Sequence, residues 1–199
     1  RNNFYFDQQN IDRVFLKKKN KLRATLKYEF EEYYQIDGGI EFYDADNLPY
    51  YNNPDSSGFF EVFTSDATSW DIFLNMLYHL GPYGYFYGSV NYLNIQDPDS
   101  RKVPYYPGLK ASLIYGYDFS QDWKSEFKLS YLSDRYADIE NSDERKLQSI
   151  FYLGLKISYT IQQNMSAFFE INNILNTKRS VWEGYQEKPI DVLVGFNYF

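Results

Sequence analysis

The residues that could do chemistry are few. His79 is the one histidine, and carboxylates gather at Asp134, Asp138, Glu140, Asp143 and Glu144. A histidine can act as a general base when a nucleophile and an orienting carboxylate stand beside it. A carboxylate cluster can hold a hard cation such as calcium. Neither pattern is completed here. His79 abuts the turn Gly81-Pro82-Tyr83-Gly84, and no triad partner stands out, so it reads as a wall residue. The acidic cluster follows no calcium-loop spacing and reads as a solvated loop, and Asp44, Asp46 and Asp55 are no more specific. Cysteine is absent, which excludes disulfides, thiolate metal sites and a cysteine nucleophile. No phosphate-cradling glycine loop or nucleophile elbow occurs. The expectation is a protein that is not an enzyme, with no catalytic residue, no metal and no cofactor.

What must position these side chains is clearer than the side chains themselves. Apolar residues recur with period 2 nearly throughout, and helical spacing is almost absent. Leu22, Ala24, Leu26, Tyr28 and Phe30 alternate with Arg23, Thr25, Lys27 and Glu29. The same pattern returns at Ile36 to Phe42, Trp70 to Leu80, Tyr85 to Ile95, Leu109 to Phe119, Trp123 to Tyr131, Phe151 to Tyr159, Met165 to Ile171 and Pro189 to Phe199. Those are nine strands. Asn3 to Leu16 is a weaker tenth, joined through Lys17 to Lys21. A short strand at Phe59 to Thr64 interrupts the polar stretch from Asp44 to Ser69.

Aromatics form 21% of the 199 residues, with 22 Tyr, 17 Phe and 3 Trp. Cores favour Leu, Ile and Val, whereas Tyr and Trp suit a boundary with one apolar and one wet side. Mean hydropathy is −0.58, as in a soluble protein, but a membrane barrel escapes hydropathy because every second residue faces water. Net charge is −7, which argues against a nucleic-acid partner. The first residues, Arg1-Asn2-Asn3-Phe4, do not read as a signal peptide, so the chain is either mature or part of something longer.

Connections sort into two kinds. Short turns fall near Glu31, Gly81, Gln121 and Gln162, and long polar loops at Ala45 to Ala67, Gln96 to Gly108, Ala137 to Gln148 and Asn176 to Lys188. They alternate, so all long loops lie at one end, as extracellular loops of an outer-membrane barrel do. Strands of about 9 to 11 residues suit a tilted bilayer crossing. Tyr28, Phe30, Tyr78, Tyr117, Phe119, Trp123, Tyr159 and Tyr198 then form a girdle near the short turns. Phe42, Tyr92, Tyr131 and Phe151 form another near the long loops. The opposite parity places Arg23, Lys27, Glu29, Glu41, Lys110, Lys124, Glu126, Lys128, Lys156 and Glu170 on the lumen wall. In the last strand Ile190, Val192, Val194, Phe196 and Tyr198 share the apolar face, which leaves Phe199 out of phase; one further residue after it is the expectation, and a bulged or frayed strand end the alternative.

The segment Phe168-Phe169-Glu170-Ile171-Asn172-Asn173-Ile174-Leu175-Asn176, the pair Gly184-Tyr185 and the final strand containing Gly195 resemble the C-terminal end of a TonB-dependent receptor. Val103 to Gly108 and Tyr131 to Tyr136 resemble the same barrels. The likeness runs from about Pro104 to Phe199. It implies an all-β fold: an antiparallel transmembrane β-barrel, or a contiguous part of one, of about ten strands in this chain. Members of that family form 22-stranded walls around an N-terminal plug. Nothing in residues 1–199 resembles a plug or an energy-coupling box, so the whole chain reads as one outer-membrane barrel region.

Two arrangements follow. In one, the chain is the C-terminal part of a larger receptor; in the other, it is a free-standing barrel of about ten strands. The resemblance implies TonB-dependent uptake of a scarce ligand (a siderophore, a cobalamin or a glycan) across a Gram-negative outer membrane. Its partners would be outer-membrane lipid, TonB acting through a plug, and other outer-membrane subunits. Ligand contacts would come from the long loops, with Tyr105, Tyr106, Trp182 and Tyr185 as the binding candidates. The alternative reading is a passive porin or a structural subunit of an outer-membrane complex.

Overall fold

In the computed structural model of the chain, residues 17–198 are described, apart from 32, 53–60, 139, 141–144, 179 and 187. Nine strands form one sheet in chain order, every neighbouring pair antiparallel. They are β1 (Lys17–Phe30), β2 (Tyr34–Asn52), β3 (Glu61–His79), β4 (Gly84–Gln96), β5 (Leu109–Asp118), β6 (Trp123–Leu132), β9 (Ile150–Gln162), β10 (Met165–Asn172) and β13 (Asp191–Tyr198). Two small hairpins sit in the long connections: β7 (Arg135–Tyr136) with β8 (Lys146–Leu147), and β11 (Ser180–Trp182) with β12 (Tyr185–Gln186).

The register explains why this sequence folds so. One row crosses all nine strands as Phe30, Tyr34, Tyr78, Phe86, Tyr115, Phe127, Leu155, Ile171 and Val192. Every member is apolar or aromatic. A row on the other face runs Lys27, Asp37, Asn75, Ser89, Ser112, Ser130 and Tyr152. A slip of one residue in a strand would put polar or charged residues on the apolar face and apolar ones on the polar face. The alternation that defines each strand therefore also fixes its pairing.

The apolar face has no cover among the described residues. Leu26 is 75% exposed, Val194 72% and Tyr198 78%. A continuous apolar patch of this extent is not tolerated in water and matches a surface solvated by lipid. Ring pairs mark its two margins. Tyr34–Tyr78 and Trp123–Tyr159 lie toward the short turns, with centroids 5.0 and 4.7 Å apart; Phe42–Trp70 and Tyr131–Phe151 lie toward the long loops, at 4.8 and 6.5 Å.

The conventional core is small and sits at the long-loop end. Ala45, Leu48, Tyr50, Ala67, Ile95 and Val103 are buried together, with Tyr43, Phe63 and Tyr106 packed against them. This corrects three boundaries. Within the stretch from Asp44 to Ser69, β2 continues to Asn52 and β3 begins at Glu61, so the described part of the expected Phe59 to Thr64 strand is the start of β3. A bulge between Ala45 and Leu48, with Asn47 at φ 54°, shifts the register there. Above the lipid both faces are wet or locally packed, so alternation fades while the backbone ladder continues. Likewise, Lys17 to Lys21 is no linker. It is the first part of β1, with Lys17 and Lys18 opposite Asp46 and Ala45 and a bulge before Lys21. The expected tenth strand, Asn3 to Leu16, and the terminal Phe199 lie outside the described residues.

The two outer strands of the sheet, β1 and β13, do not pair with each other among the described residues. Strand edges facing hydrocarbon cannot stay unpaired.

Candidate functional site

The polar face forms a large concave surface among the described residues. A concavity of about 960 Å³ runs along β3 to β10, with Asn75, Ser89, Asn91, Ser112, Ser130 and Asn172 supplying hydroxyls and amides. The Ser89 and Ser112 hydroxyls are 2.9 Å apart. The Asn172 amide donates to Glu170 at 3.0 Å, and the Asn91 amide donates to Asp71. Lower on the face, Tyr85 donates its hydroxyl to Glu126 at 2.6 Å. Its ring lies over Gly116, where a Cβ would come within 2.4 Å of the ring. Phe168 lies over Gly195 in the same way, within 2.7 Å of the Cβ position, and Lys156 rests 5.3 Å above the Phe168 ring.

Above this wall, three long connections and the β2–β3 hairpin are tied into one body, largely by arginines. Arg101 meets Asp97 at 2.7 Å, Asp99 at 2.9 Å and Glu140 at 3.4 Å. Arg135, only 4% exposed, donates to the backbone oxygens of Ser180 and Val181 at 2.9 and 2.8 Å. Arg145 binds Glu183, with Nε to Oε1 at 3.0 Å, and lies 3.8 Å from Asp138. The guanidinium fork suits such multiple acceptors better than an ammonium would. The side-chain hydrogen bond to Glu183 holds the Arg145 guanidinium protonated above its ordinary range. Lys146 meets Asp134 at 2.6 Å, and this hydrogen bond pulls the Asp134 carboxyl below its ordinary range.

Each expected binding residue has a defined place. Tyr105, at φ 64°, donates its backbone N–H to Tyr136 O at 2.8 Å and packs its ring 4.5 Å from that of Trp182. Burial pushes the Tyr105 phenol up to about 12. Trp182 also meets the edge of Tyr51 at 5.3 Å. Tyr185 pairs with Trp182 across the hairpin turned by Gly184 (φ 78°). Tyr106 packs on the small core instead, and burial raises its phenol as well. The structure thus joins Tyr105, Trp182 and Tyr185 and sets Tyr106 apart from them.

The acidic cluster does not converge. Asp134, Asp138 and Glu140 each face a cation, and Asp143 and Glu144, like Asp55, lie outside the described residues. Among the described residues no three His, Asp or Glu side chains come together to hold a metal. His79 pairs with Tyr85 in the ladder beside the short turn, on the polar face, as its parity requires. Sequence reasoning missed Tyr51, Arg101, Arg135, Arg145 and Glu183. The available signal was an arginine embedded in an otherwise acidic loop, at 101 and again at 145.

No protein-family signature matches the chain, and no curated protein matches it in sequence. Solved structures do. The copper transporter OprC superposes with a TM-score of 0.76 at 15% identity, over 94% of this chain and 32% of its own. The siderophore receptor PiuA from Acinetobacter baumannii gives 0.72 at 12% identity, over 89% and 28%. The ferric-catecholate import receptor Fiu from E. coli K12 gives 0.69 at 14%, over 89% and 27%. The chain has the fold of a contiguous part of the β-barrel wall of these proteins. It spans about a third or less of the length of these receptors. A barrel wall of this kind accounts for both faces: one solvated by lipid, the other by whatever occupies the lumen.

Proposed function

We propose that this chain is the C-terminal wall and part of the extracellular cap of a TonB-dependent receptor in a Gram-negative outer membrane. It serves uptake of a scarce ligand such as a siderophore, a cobalamin or a glycan. The observation that carries this reading is the nine-strand register, apolar on one face and polar on the other, with every long connection gathered over one end. The likeness to copper, siderophore and ferric-catecholate receptors supports it. The residues act without covalent chemistry. The cap, including Tyr105, Trp182 and Tyr185, presents aromatic faces to ligand; the polar wall passes it inward as a plug, powered through TonB, moves aside. Residues 1–199 form one wall region in this scheme.

The test is accumulation in cells. Deleting the gene should abolish uptake of one scarce nutrient, and the intact gene should restore it. An uncoupler of the inner-membrane proton gradient should stop it. Uptake that is unsaturable and indifferent to the uncoupler would instead establish the passive-porin alternative.

A further inference from the structure

One glycine on the lipid face has no neighbour to explain it. Gly38, Gly39, Gly116, Gly154 and Gly195 lie inside strands of the wall, and each has an atom 3.4 Å or less from the position a Cβ would take. Gly88, inside β4, has nothing within 4 Å. Glycine weakens a strand, and there it often marks close approach by a ligand or another backbone. In register Gly88 stands between Met76 and Leu113, on the apolar face; one row higher, Val90 and Ala111 stand between Leu74 and Tyr131. These small side chains leave a groove of about 470 Å³, walled by Met76, Leu129 and Phe151. Its two polar lining residues, Ser89 and Ser112, bond each other on the opposite face. The groove rises toward a cationic rim. Val90, Tyr92, Asn94 and Gln96 alternate along one face of β4, whose pairing with β3 is unshifted. Gln96 bridges to Lys102, which therefore lies on that face, above the aromatic margin. Tyr136 is paired with Lys146, and the Lys102 and Lys146 ammonium groups lie 5.9 and 5.8 Å from its ring. Tyr92, Lys102 and Tyr136 line one depression. Carboxylates are near: Asp134 meets Lys146 at 2.6 Å, and Asp44 shares the row of Thr68 and Gln96, where it accepts from the Asn20 amide at 3.0 Å. Asp66, one step higher on β3, accepts the Asn47 N–H at 3.3 Å.

We propose that Gly88, Val90 and Ala111 seat one acyl chain of a lipid whose phosphate headgroup rests on Lys102 and Lys146. An empty groove forfeits the dispersion contacts of its walls, and on this face the available filler is hydrocarbon. A single chain laid along β4 and β5 supplies the contact that Gly88 lacks. Lysine suits the upper end: its stem lies along apolar surface while the ammonium group stays at headgroup level. There it attracts anionic lipid and makes charge-assisted bonds to phosphate oxygens. Asp134 orients Lys146 without cancelling the site, since two ammonium groups face one carboxylate. Asp44 and Asp66 set the lateral limit, because the rim turns acidic across β2 and β3. The site is on the outer surface of the wall and is independent of the solute that crosses the lumen.

The probes are dipalmitoyl phosphatidic acid and its uncharged counterpart dipalmitoylglycerol, added to the full-length protein after lipid is stripped in detergent. Bound lipid is counted by native mass spectrometry. The parent should hold phosphatidic acid about tenfold more tightly than the neutral lipid. Gly88→Leu/Ala111→Leu fills the seat with side chains that suit a lipid-facing strand. It should keep the heat-resistant folded band and weaken both lipids about tenfold or more. If that pair does not fold, Ala111→Leu alone narrows the same seat and should weaken both lipids severalfold. Lys102→Gln/Lys146→Gln lies above the bilayer and should abolish the preference for phosphatidic acid while neutral lipid still binds. Unchanged affinity in the filled variant would overturn the proposal, and so would an unchanged preference in the lysine variant. A mass of two chains that the filled variant splits would overturn it too, because the groove would then seat a second copy.

Discussion

Arg135 is the residue on which the cap should depend most. Its side chain enters the β11–β12 hairpin from the β7–β8 hairpin and binds two successive carbonyls, Ser180 O and Val181 O, at 2.9 and 2.8 Å, with Nε a further 3.3 Å from Val181 O. Arg135→Ala removes these bonds and leaves half-buried carbonyls without this donor. Each charge-assisted bond is worth roughly 1.5–3 kcal/mol. Three bonds from one group are not additive, so about 3 kcal/mol is expected in total. The sheet below is held by its own ladder, and the loss therefore falls on the cap. At about 1.4 kcal/mol per decade, cap opening should increase about a hundredfold. Hydrogen exchange reads this directly. The amides of Tyr105 and Ala137, bonded to Tyr136 O and Arg145 O at 2.8 and 3.0 Å, should exchange about a hundredfold faster, while amides in β5 and β6 keep their rates. Arg135→Lys keeps the charge but loses the fork, and should fall between. Exchange of Tyr105 and Ala137 within twofold of the parent would refute the claim that the loops are one body. So would acceleration confined to residues 180–186, because the cap would then be separate hairpins that merely touch.

Other consequences are as direct. Leu74→Arg puts a cation on the lipid face at mid-strand and should cost about 2–4 kcal/mol, seen as failure to reach the heat-resistant folded band on a gel; Ser112→Arg, on the other face, should insert normally. Gly116→Ala forces a methyl toward a Tyr85 ring that its bond to Glu126 holds in place, an overpacking cost of about 1–3 kcal/mol measurable as a lower unfolding midpoint. Tyr105 is held protonated by burial, from 10.0 up to about 12; because the folded pKa is the raised one, its stabilisation is complete below about pH 10 and lost as pH rises toward 12. Tyrosinate absorbance of the Tyr105→Phe variant should thus lose a late-titrating phenol, and loss of one titrating near 10 instead would contradict the packed ring.

Most of the wall was legible because a membrane strand must satisfy two solvents at once. At Leu22 to Phe30 or Leu109 to Phe119 the alternation states the face of every residue, and hydrogen bonding then leaves one register. The signal stops where lipid stops. Asn47 to Asn52 and Glu61 to Ala67 pair as strands, but no apolar phase spans them, so they read as loop. The cap was half legible. Tyr105 and Trp182 stand out as large aromatics in polar loops, yet nothing local says that they meet each other, 77 positions apart. Arg135 was missed for the same reason: its partners are backbone carbonyls, which leave no trace in side-chain type.

The cap's rigidity constrains how the proposed receptor can work. If Tyr51, Tyr105 and Trp182 form one ring cluster, and Arg101, Arg135 and Arg145 bind across loops, then no one of these loops closes on ligand by itself. Moving Gln96 to Gly108 alone would separate Tyr105 from Trp182 and Arg101 from Glu140. Moving the β11–β12 hairpin alone would strip Arg135 and Arg145 of their acceptors. Either motion gives up several kcal/mol of charged and aromatic contacts, which differential ligand affinity would have to supply. The lower-energy course is capture on a preformed surface, with movement left to the lumen filling or to loops on the strands that complete the barrel. In that arrangement this part of the wall and its cap form the fixed jaw.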